Sequence, residues 1–276
     1  MFRGTRLALH FLWGALTVAA VFPFVRDSRR LWLKQRWSRQ MLDILRVELD
    51  ATLGGIEPGS LIIANHISWL DIFVLNAARP VAFISKSEVR DWPLIGWLSA
   101  KTDTVFLRRG SRGHAKIVNA EIDALLNAGK DVALFPEGTT TDGTTLLGFH
   151  AALLQPAVET GRPVQPVALS YETPDGRRTL APAYAGETTM GQCVGAILAT
   201  PKMIARLRPT PALATTDSTG TGSTTRREIA RAAHAAIALS LGLPPANNRP
   251  ETPAGLPAEP PSDGAPRDSL NPAQAA

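Results

Sequence analysis

The sequence predicts an α/β fold, a mixed and mostly parallel sheet flanked by helices, with a membrane-associated helical segment at the N-terminus. Three observations lead to this. After Gly54–Gly55, short apolar runs alternate with longer stretches of helical periodicity, the pattern of strands joined by crossover helices. The apolar runs are continuous, as in strands buried on both faces. Leu7–Val25 is 19 residues long with only two polar interruptions, which is long enough to cross a bilayer.

Each predicted element follows from its local pattern. Strands are predicted at Ser60–Ala64, Val81–Ile84, Thr104–Leu107, Asp131–Phe135 and Pro163–Tyr171. Helices are predicted at Ser68–Ala78, His114–Gly129 and His150–Gly161, the last complicated by Pro156. Leu180–Leu213 is predicted to mix loop, helix and strand, and an Ala-rich helix capped near Ser223–Thr225 follows. Apolar residues spaced three or four positions apart predict the helices, and unbroken apolar runs predict the strands.

Composition divides the chain of 276 residues into three predicted parts. Residues 1–46 form a membrane anchor and an amphipathic basic helix, and residues 47–243 form the α/β domain. Residues 244–276 are rich in Pro and Ala and almost lack large apolar side chains, so this tail is predicted to be disordered.

The net charge of +5 is concentrated near the N-terminus. The first 42 residues carry eight Lys or Arg and one acid. A local excess of this kind predicts contact with anionic phospholipids and argues against a nucleic-acid surface. Cys193 is the single cysteine, which excludes an intrachain disulfide and a zinc-type cysteine cluster. We predict no metal and no bound cofactor.

The apolar stretch Leu7–Val25 is predicted to be a membrane anchor that spans the bilayer or, because of Pro23, bends and returns. A cleaved signal peptide and a buried core helix are the alternatives. The basic cluster that follows argues against the signal peptide, because such clusters resist translocation. Arg29–Arg46 has helical apolar spacing and basic side chains at Lys34, Arg36 and Arg39. It is predicted to lie on an anionic membrane surface, with packing on its own domain as the alternative.

His66 and Asp71 are the candidate catalytic pair. His66 follows a predicted buried strand and precedes a helix, where open α/β sheets bind ligands. A separation of five residues places the two side chains together only if the loop folds back onto the helix start. A carboxylate on one imidazole nitrogen prepares the other as a general base. The alternatives are a helix-capping role for Asp71 and a histidine that bonds the backbone.

The sequence resembles the lysophosphatidic acid acyltransferase family in four motifs that occur in order. They are NHISWLD at 65–71, FISKSEVRDWPLIGWLSAKTDTVFLRRGSR at 83–112, FPEGT at 135–139 and PVQPVALSY at 163–171. The resemblance implies His66 and Asp71 as catalytic residues. It further implies a set of substrate-binding residues, namely Asn65, Lys86, Arg109, Glu137, Gly138 and Thr139. Arg109 stands at the phosphate-binding position, and the resemblance implies that Glu137 bonds glycerol hydroxyls or orders Arg109.

Three positions depart from the family pattern. Asp103 stands where the family often has Gly, Thr140 where it commonly has Arg, and His150 where Lys is usual. Two cations are therefore missing near the expected headgroup site. The resemblance implies a membrane-bound O-acyltransferase that uses acyl-CoA or acyl carrier protein and acylates 1-acylglycerol 3-phosphate to phosphatidic acid. The departures leave open another lyso-lipid, such as lyso-ornithine lipid. A hydrolase or thioesterase and a non-enzymatic lipid-binding protein are further alternatives.

The resemblance and the basic N-terminus together imply that the protein is located at the inner (cytoplasmic) membrane. The catalytic domain is then expected to face the cytoplasm, because positively charged segments next to apolar helices stay on that side.

Overall fold

A computed structural model describes residues 2–91, 95–107, 112–216 and 224–244. Within these ranges, seven strands form one sheet in the order β1-β7-β6-β2-β5-β3-β4. The strands are β1 (Val47–Ala51), β2 (Leu61–Ala64), β3 (Ala82–Lys86), β4 (Val105–Leu107), β5 (Val132–Leu134), β6 (Val164–Glu172) and β7 (Met203–Pro209). The only antiparallel pair among them joins β6 to β7, so the predicted mixed and mostly parallel sheet is confirmed.

Helices cover both faces of the sheet. They are α1 (Phe2–Ala20), α2 (Asp27–Leu45), α3 (Asp71–Ala78), α4 (Ile95–Lys101), α5 (Arg112–Asn127), α6 (Gln155–Thr160), α7 (Met190–Ala199) and α8 (Arg226–Leu241). One apolar core contains side chains of α2, α3 and α7, and a second contains side chains of α5, α6 and α8. The central strand β2 supplies Ile62 to the first core and Leu61 and Ile63 to the second, as alternation along a strand requires.

Two strands were not predicted as such. β1 carries Glu48 and Asp50 on a sheet edge, and its sequence follows α2 with no glycine to mark a break. The turn between them is made by Arg46, a non-glycine residue with φ of 57°, in the left-handed region that sequence patterns rarely signal outside glycine. β7 alternates buried residues with Arg206 and Arg208. Because it has no unbroken apolar run, it was not distinguished within Leu180–Leu213, the stretch predicted to mix loop, helix and strand.

The helix α1 has one face on the protein and one face exposed. Leu7, His10, Gly14 and Val18 are its buried residues. A Cβ at Gly14 would lie 2.7 Å from Nε1 of Trp37, so glycine allows the α2 indole to pack against α1. On the other side Leu9, Leu12, Trp13 and Leu16 are more than half exposed. By length and composition, Phe2–Phe24 is a candidate membrane span with a mean hydropathy of 1.8.

Aromatic contacts connect α1 to the start of α3. The Trp37 ring lies 5.7 Å from that of Phe11 on α1 and 5.4 Å from that of Phe73 on α3. Phe73 in turn lies 5.6 Å from Trp69, in the turn before α3. Edge-on contacts at these distances are favourable beyond the apolar area they bury.

The predicted orientation of α2 is wrong for much of the helix, because its apolar face packs on the domain. Met41 and Leu45 are fully buried in the first core. Two of the basic side chains also turn toward the protein. Lys34 donates to the carbonyl of Val81 at 2.8 Å, and Arg39 donates to that of Ala77 at 2.9 Å. The carbonyl oxygens of a loop and of a helix C-terminus attract these cations. A row of basic side chains on a helix can therefore contact the protein itself and need not face a membrane.

Lys34 gives a pH-dependent stability that can be measured. Burial lowers its pKa to about 8, with a partial offset from Asp103. Below pH 8 the folded protein bears the cost of a buried ammonium group, and this cost disappears as the pH rises toward the unfolded pKa of 10.5. We therefore expect the free energy of unfolding of wild type to rise relative to Lys34→Met by up to about 3 kcal/mol between these pH values.

Chemical denaturation at pH 7.5, 9 and 10 measures this difference. Lys202→Met is the matched control, because that lysine is about half exposed in an ion pair with Glu48 and exposed pairs contribute little. A difference between wild type and K34M that stays constant with pH would contradict burial of the charge.

Candidate active site

The site lies where β2, β5 and β6 end. These strands are parallel neighbours, so their carboxyl ends meet at one edge of the sheet. His66 follows β2, and Phe135–Glu137 follow β5. Tyr171 lies near the end of β6. The sheet thus brings together residues that are about 70 and 100 positions apart in the chain.

His66 and Asp71 are in contact, as the sequence predicted. The distance between His66 Nδ1 and Asp71 Oδ2 is 2.8 Å. The same oxygen accepts the backbone N–H groups of Ile67 at 2.7 Å and Ser68 at 2.9 Å. These bonds fold residues 66–70 into a tight turn, so α3 begins at Asp71 rather than at Ser68. The capping and the catalytic interpretations of Asp71 are therefore compatible.

The Asp71 carboxylate is completely buried, and a residue that sequence analysis missed provides its remaining contact. Tyr171 donates its hydroxyl to Asp71 Oδ1 at 2.7 Å. Burial, together with the Asp71 charge, raises the pKa of Tyr171 well above its ordinary value. Its position at the end of a predicted strand gave no signal of this role. Oδ2 already accepts two backbone N–H groups, so it faces the imidazole as an acceptor, and the ring proton is assigned to Nδ1 of His66.

The imidazole of His66 is held flat against Phe135. The two ring centroids are 3.9 Å apart with an interplanar angle of 7°, and Phe83 stacks on Phe135 from further inside the domain. The side chain of His66 keeps 19% of its surface exposed. With Nδ1 occupied by Asp71, Nε2 is the nitrogen available to accept a proton.

Glu137 binds the backbone, and the substrate-binding role that the resemblance implies for it stays a prediction. Its Oε1 accepts the N–H of His66 at 2.8 Å, and its Oε2 accepts the N–H of Leu147 at 2.9 Å. The side chain is buried. Burial raises the pKa of Glu137 to about 7, against the opposing effect of the two N–H donors. Glu137 therefore joins the turn of residues 66–70, the candidate catalytic turn, to the segment that follows β5.

Two further segments hold the catalytic turn by its carbonyl oxygens. Thr141 donates its N–H to the carbonyl of His66, and Tyr184 donates its N–H to that of Ile67, both at 2.9 Å. The Thr140 hydroxyl donates to the carbonyl of Tyr184, which links the two segments. This is the position where the family commonly has Arg. Thr140 thus makes an internal contact there.

Asn65, the predicted substrate-binding residue next to His66, contacts the sheet. It is buried and exchanges two hydrogen bonds with the backbone of Leu169 on β6, at 2.8 and 2.9 Å.

The remaining predicted substrate-binding residues lie at the ends of β3 and β5 or outside the described residues. Gly138 turns the chain with φ of 70°, and Thr139 beside it is exposed. Lys86 is the last residue of β3, where its backbone pairs with Leu107. Arg109 lies outside the described residues.

A family model described as Acyltransferase matches residues 46–170, a range that contains the paired His66 and Asp71 and Glu137. A lyso-ornithine lipid O-acyltransferase of Pseudomonas aeruginosa is 39% identical over 76% of this chain and 80% of its own length. A 1-acyl-sn-glycerol-3-phosphate acyltransferase of Neisseria meningitidis is 40% identical over 54% of this chain and 58% of its own length.

A solved structure has a similar fold. The crystal structure of the 1-acyl-sn-glycerophosphate acyltransferase PlsC of Thermotoga maritima aligns with a TM-score of 0.58 and 19% identity. The alignment covers 87% of this chain and 96% of that chain. At this identity the likeness establishes the α/β architecture and the order of its elements.

Glu137 gives a prediction with a defined sign. The Gln amide does not titrate, but its NH2 group cannot accept the second N–H, so Glu137→Gln should be less stable than wild type at pH 4.5 by an amount that does not itself vary with pH. A raised carboxyl pKa means that the folded state holds the proton more tightly than the unfolded chain. Wild type should therefore lose up to about 3 kcal/mol relative to E137Q as the pH rises through 7.

Unfolding by denaturant between pH 4.5 and 8 tests this. Glu159→Gln changes an exposed carboxyl and controls for the loss of one negative charge. If wild type instead gained stability relative to E137Q on raising the pH, the two N–H donors would outweigh burial.

Proposed function

This chain belongs to the Acyltransferase family, and we propose that it transfers a fatty acyl group from an acyl thioester to the free hydroxyl of a lysophospholipid. The leading acceptor is 1-acylglycerol 3-phosphate, which gives phosphatidic acid. The donor is acyl-CoA or acyl-acyl carrier protein, and the reaction uses no cofactor. One observation carries the proposal: a partly exposed imidazole whose Nδ1 is bound to a buried carboxylate at 2.8 Å.

The geometry supports a general-base mechanism. Nε2 of His66 takes the proton of the acceptor hydroxyl as its oxygen attacks the thioester carbonyl. Asp71 stabilises the positive charge that forms on the imidazole and keeps the ring in one orientation. When the tetrahedral intermediate collapses, the carbon–sulfur bond breaks and the departing thiolate receives the proton from Nε2. The acceptor oxygen is then esterified, and His66 returns to its initial state.

A lyso-ornithine lipid is the second candidate acceptor, and two observations favour it. The relative that aligns over 80% of its own length bears that activity in its name. Position 140 contributes a hydroxyl bonded to the Tyr184 carbonyl rather than the guanidinium that suits a phosphate. Arg109 remains the proposed headgroup residue in either case.

We propose that the protein works at the inner membrane with its catalytic domain facing the cytoplasm. The exposed apolar side of α1 would enter the lipid, while its other side stays packed on α2. The neighbouring surface of α2 suits anionic headgroups, since Trp32 is 40% exposed with the guanidinium groups of Arg29 and Arg36 at 4.1 and 5.2 Å from its ring. Indole and guanidinium groups prefer this interfacial zone.

His66→Ala tests the catalytic assignment. Loss of the general base should lower acyl transfer by a factor of about 10² to 10⁴ at a temperature where circular dichroism shows the variant folded. Loss of the stacked ring and of one donor to Asp71 should also lower its thermal unfolding midpoint. Asp71→Asn should also lower transfer strongly, because the amide offers a donor where the buried carboxylate accepts. Asp175→Asn, in an exposed turn, is the control for losing a carboxylate.

The assay uses the full chain in detergent with acyl-CoA or acyl-acyl carrier protein and a panel of lyso-lipids, with products read by mass spectrometry. The headgroup of a His66-dependent diacyl product identifies the acceptor. Release of free fatty acid without a lyso-lipid would favour a hydrolase or thioesterase, and an H66A variant as active as wild type would contradict the mechanism.

The membrane proposal has its own test. A Leu12→Ser, Leu16→Ser double variant removes apolar side chains that are 55% and 54% exposed, so it should reduce co-sedimentation with vesicles that contain anionic phospholipid. Leu239→Ser on α8, where the leucine is 83% exposed, is the matched control. Co-sedimentation of the double variant equal to that of wild type would show that α1 is not the lipid-binding surface.

A further inference from the structure

The carboxylate of Asp71 has an unusual environment for a helix-start residue. It is fully buried and accepts four hydrogen bonds, three of them on Oδ2 from His66 and the turn. Those three donors all come from the same five-residue loop. The fourth donor, the Tyr171 hydroxyl on Oδ1, comes from β6 and is separated from Asp71 by 100 positions. It alone ties the carboxylate to the sheet rather than to its own loop.

Tyr171 is placed for this contact by the strand. Val167, Leu169 and Tyr171 alternate along β6 and all face the core that contains α3. The backbone of Leu169 binds Asn65, directly before His66, and the hydroxyl two residues later binds Asp71. One strand therefore fixes both ends of the catalytic turn. Tyr171 has 2% of its surface exposed and Asp71 has none, so the contact between them is buried.

We infer that Tyr171 is a positioning residue for catalysis, so that the acting unit is Tyr171–Asp71–His66 rather than a dyad. Its hydroxyl fixes the rotation of the Asp71 carboxylate, which in turn presents Oδ2 to Nδ1 of His66. The same donor shares the negative charge of Asp71 and so moderates the strength of the hydrogen bond that Nδ1 of His66 donates to Asp71. The inference rests on the proposed acyl transfer for its kinetic part only.

Tyr171→Phe removes the hydroxyl and keeps the ring in the core. We expect kcat to fall roughly 10-fold with little change in KM for the lyso-lipid, in line with loss of a hydrogen bond to a charged group. Relieved of one donor, Asp71 should accept more strongly from His66. In Y171F, the pH below which kcat/KM declines (the acid limb of its pH dependence) should then be higher than in wild type.

A spectroscopic measurement is independent of activity. The low-field proton resonance of the His66 Nδ1–H group is assigned by its absence in His66→Ala, and it should move further downfield in Y171F. If wild type transferred no acyl group to any acceptor, the proposed function would fail while this resonance still tested the coupling.

Thr215→Val is the matched control. It removes a buried hydroxyl that donates to the Arg162 carbonyl before the start of β6, at the opposite end of that strand. T215V should lower the thermal unfolding midpoint while kcat, the acid limb and the resonance stay as in wild type. If Y171F behaved as T215V does, with a lower melting temperature and all three readouts unchanged, Tyr171 would be a packing residue only and the inference would be overturned.

Discussion

A carboxylate with no solvent exposure is stable in a protein only if donors replace the water it has lost. Asp71 meets this requirement with bonds that also shape the chain around it. The N–H groups of Ile67 and Ser68 form the turn, Nδ1 of His66 orients the imidazole, and the Tyr171 hydroxyl attaches the whole to β6. Removal of the charge would release all of these contacts together, because each one is a donor to the same group.

The turn around His66 is held on every side by backbone contacts from segments distant in the chain. Glu137 accepts the N–H of His66, and the N–H groups of Thr141 and Tyr184 bind the next two carbonyls. Such contacts fix the position of a catalytic side chain without occupying its reactive atom. Of the residues after β5 for which the resemblance implies substrate binding, Glu137 holds this turn through the two N–H groups it accepts. Preorganisation of this kind reduces the entropy lost in reaching the transition state.

Sequence patterns predicted the central strands and the contact between His66 and Asp71 because both have local signatures. An unbroken apolar run identifies a strand buried on both faces. The position of His66 at the end of a strand followed from such a run directly before it. The role of Glu137 and the contact from Tyr171 depend on the order of strands in the sheet, which no local pattern encodes. The same is true of Lys34, whose partner carbonyl lies 47 positions away. β1 escaped prediction because the turn before it is made by Arg46 rather than glycine.

The packing of Trp37 against Gly14 has a consequence for how this protein can be handled and altered. An anchor that only tethers could be deleted, or replaced by any apolar helix of equal length. Here the deletion of α1 would expose Trp37 and the aromatic side chains packed behind it. The result would be an apolar surface prone to aggregation, next to the catalytic turn. A truncated soluble form is therefore a poor reagent, and a chimera needs a small residue facing the indole. The first helix belongs to the folding unit of the enzyme.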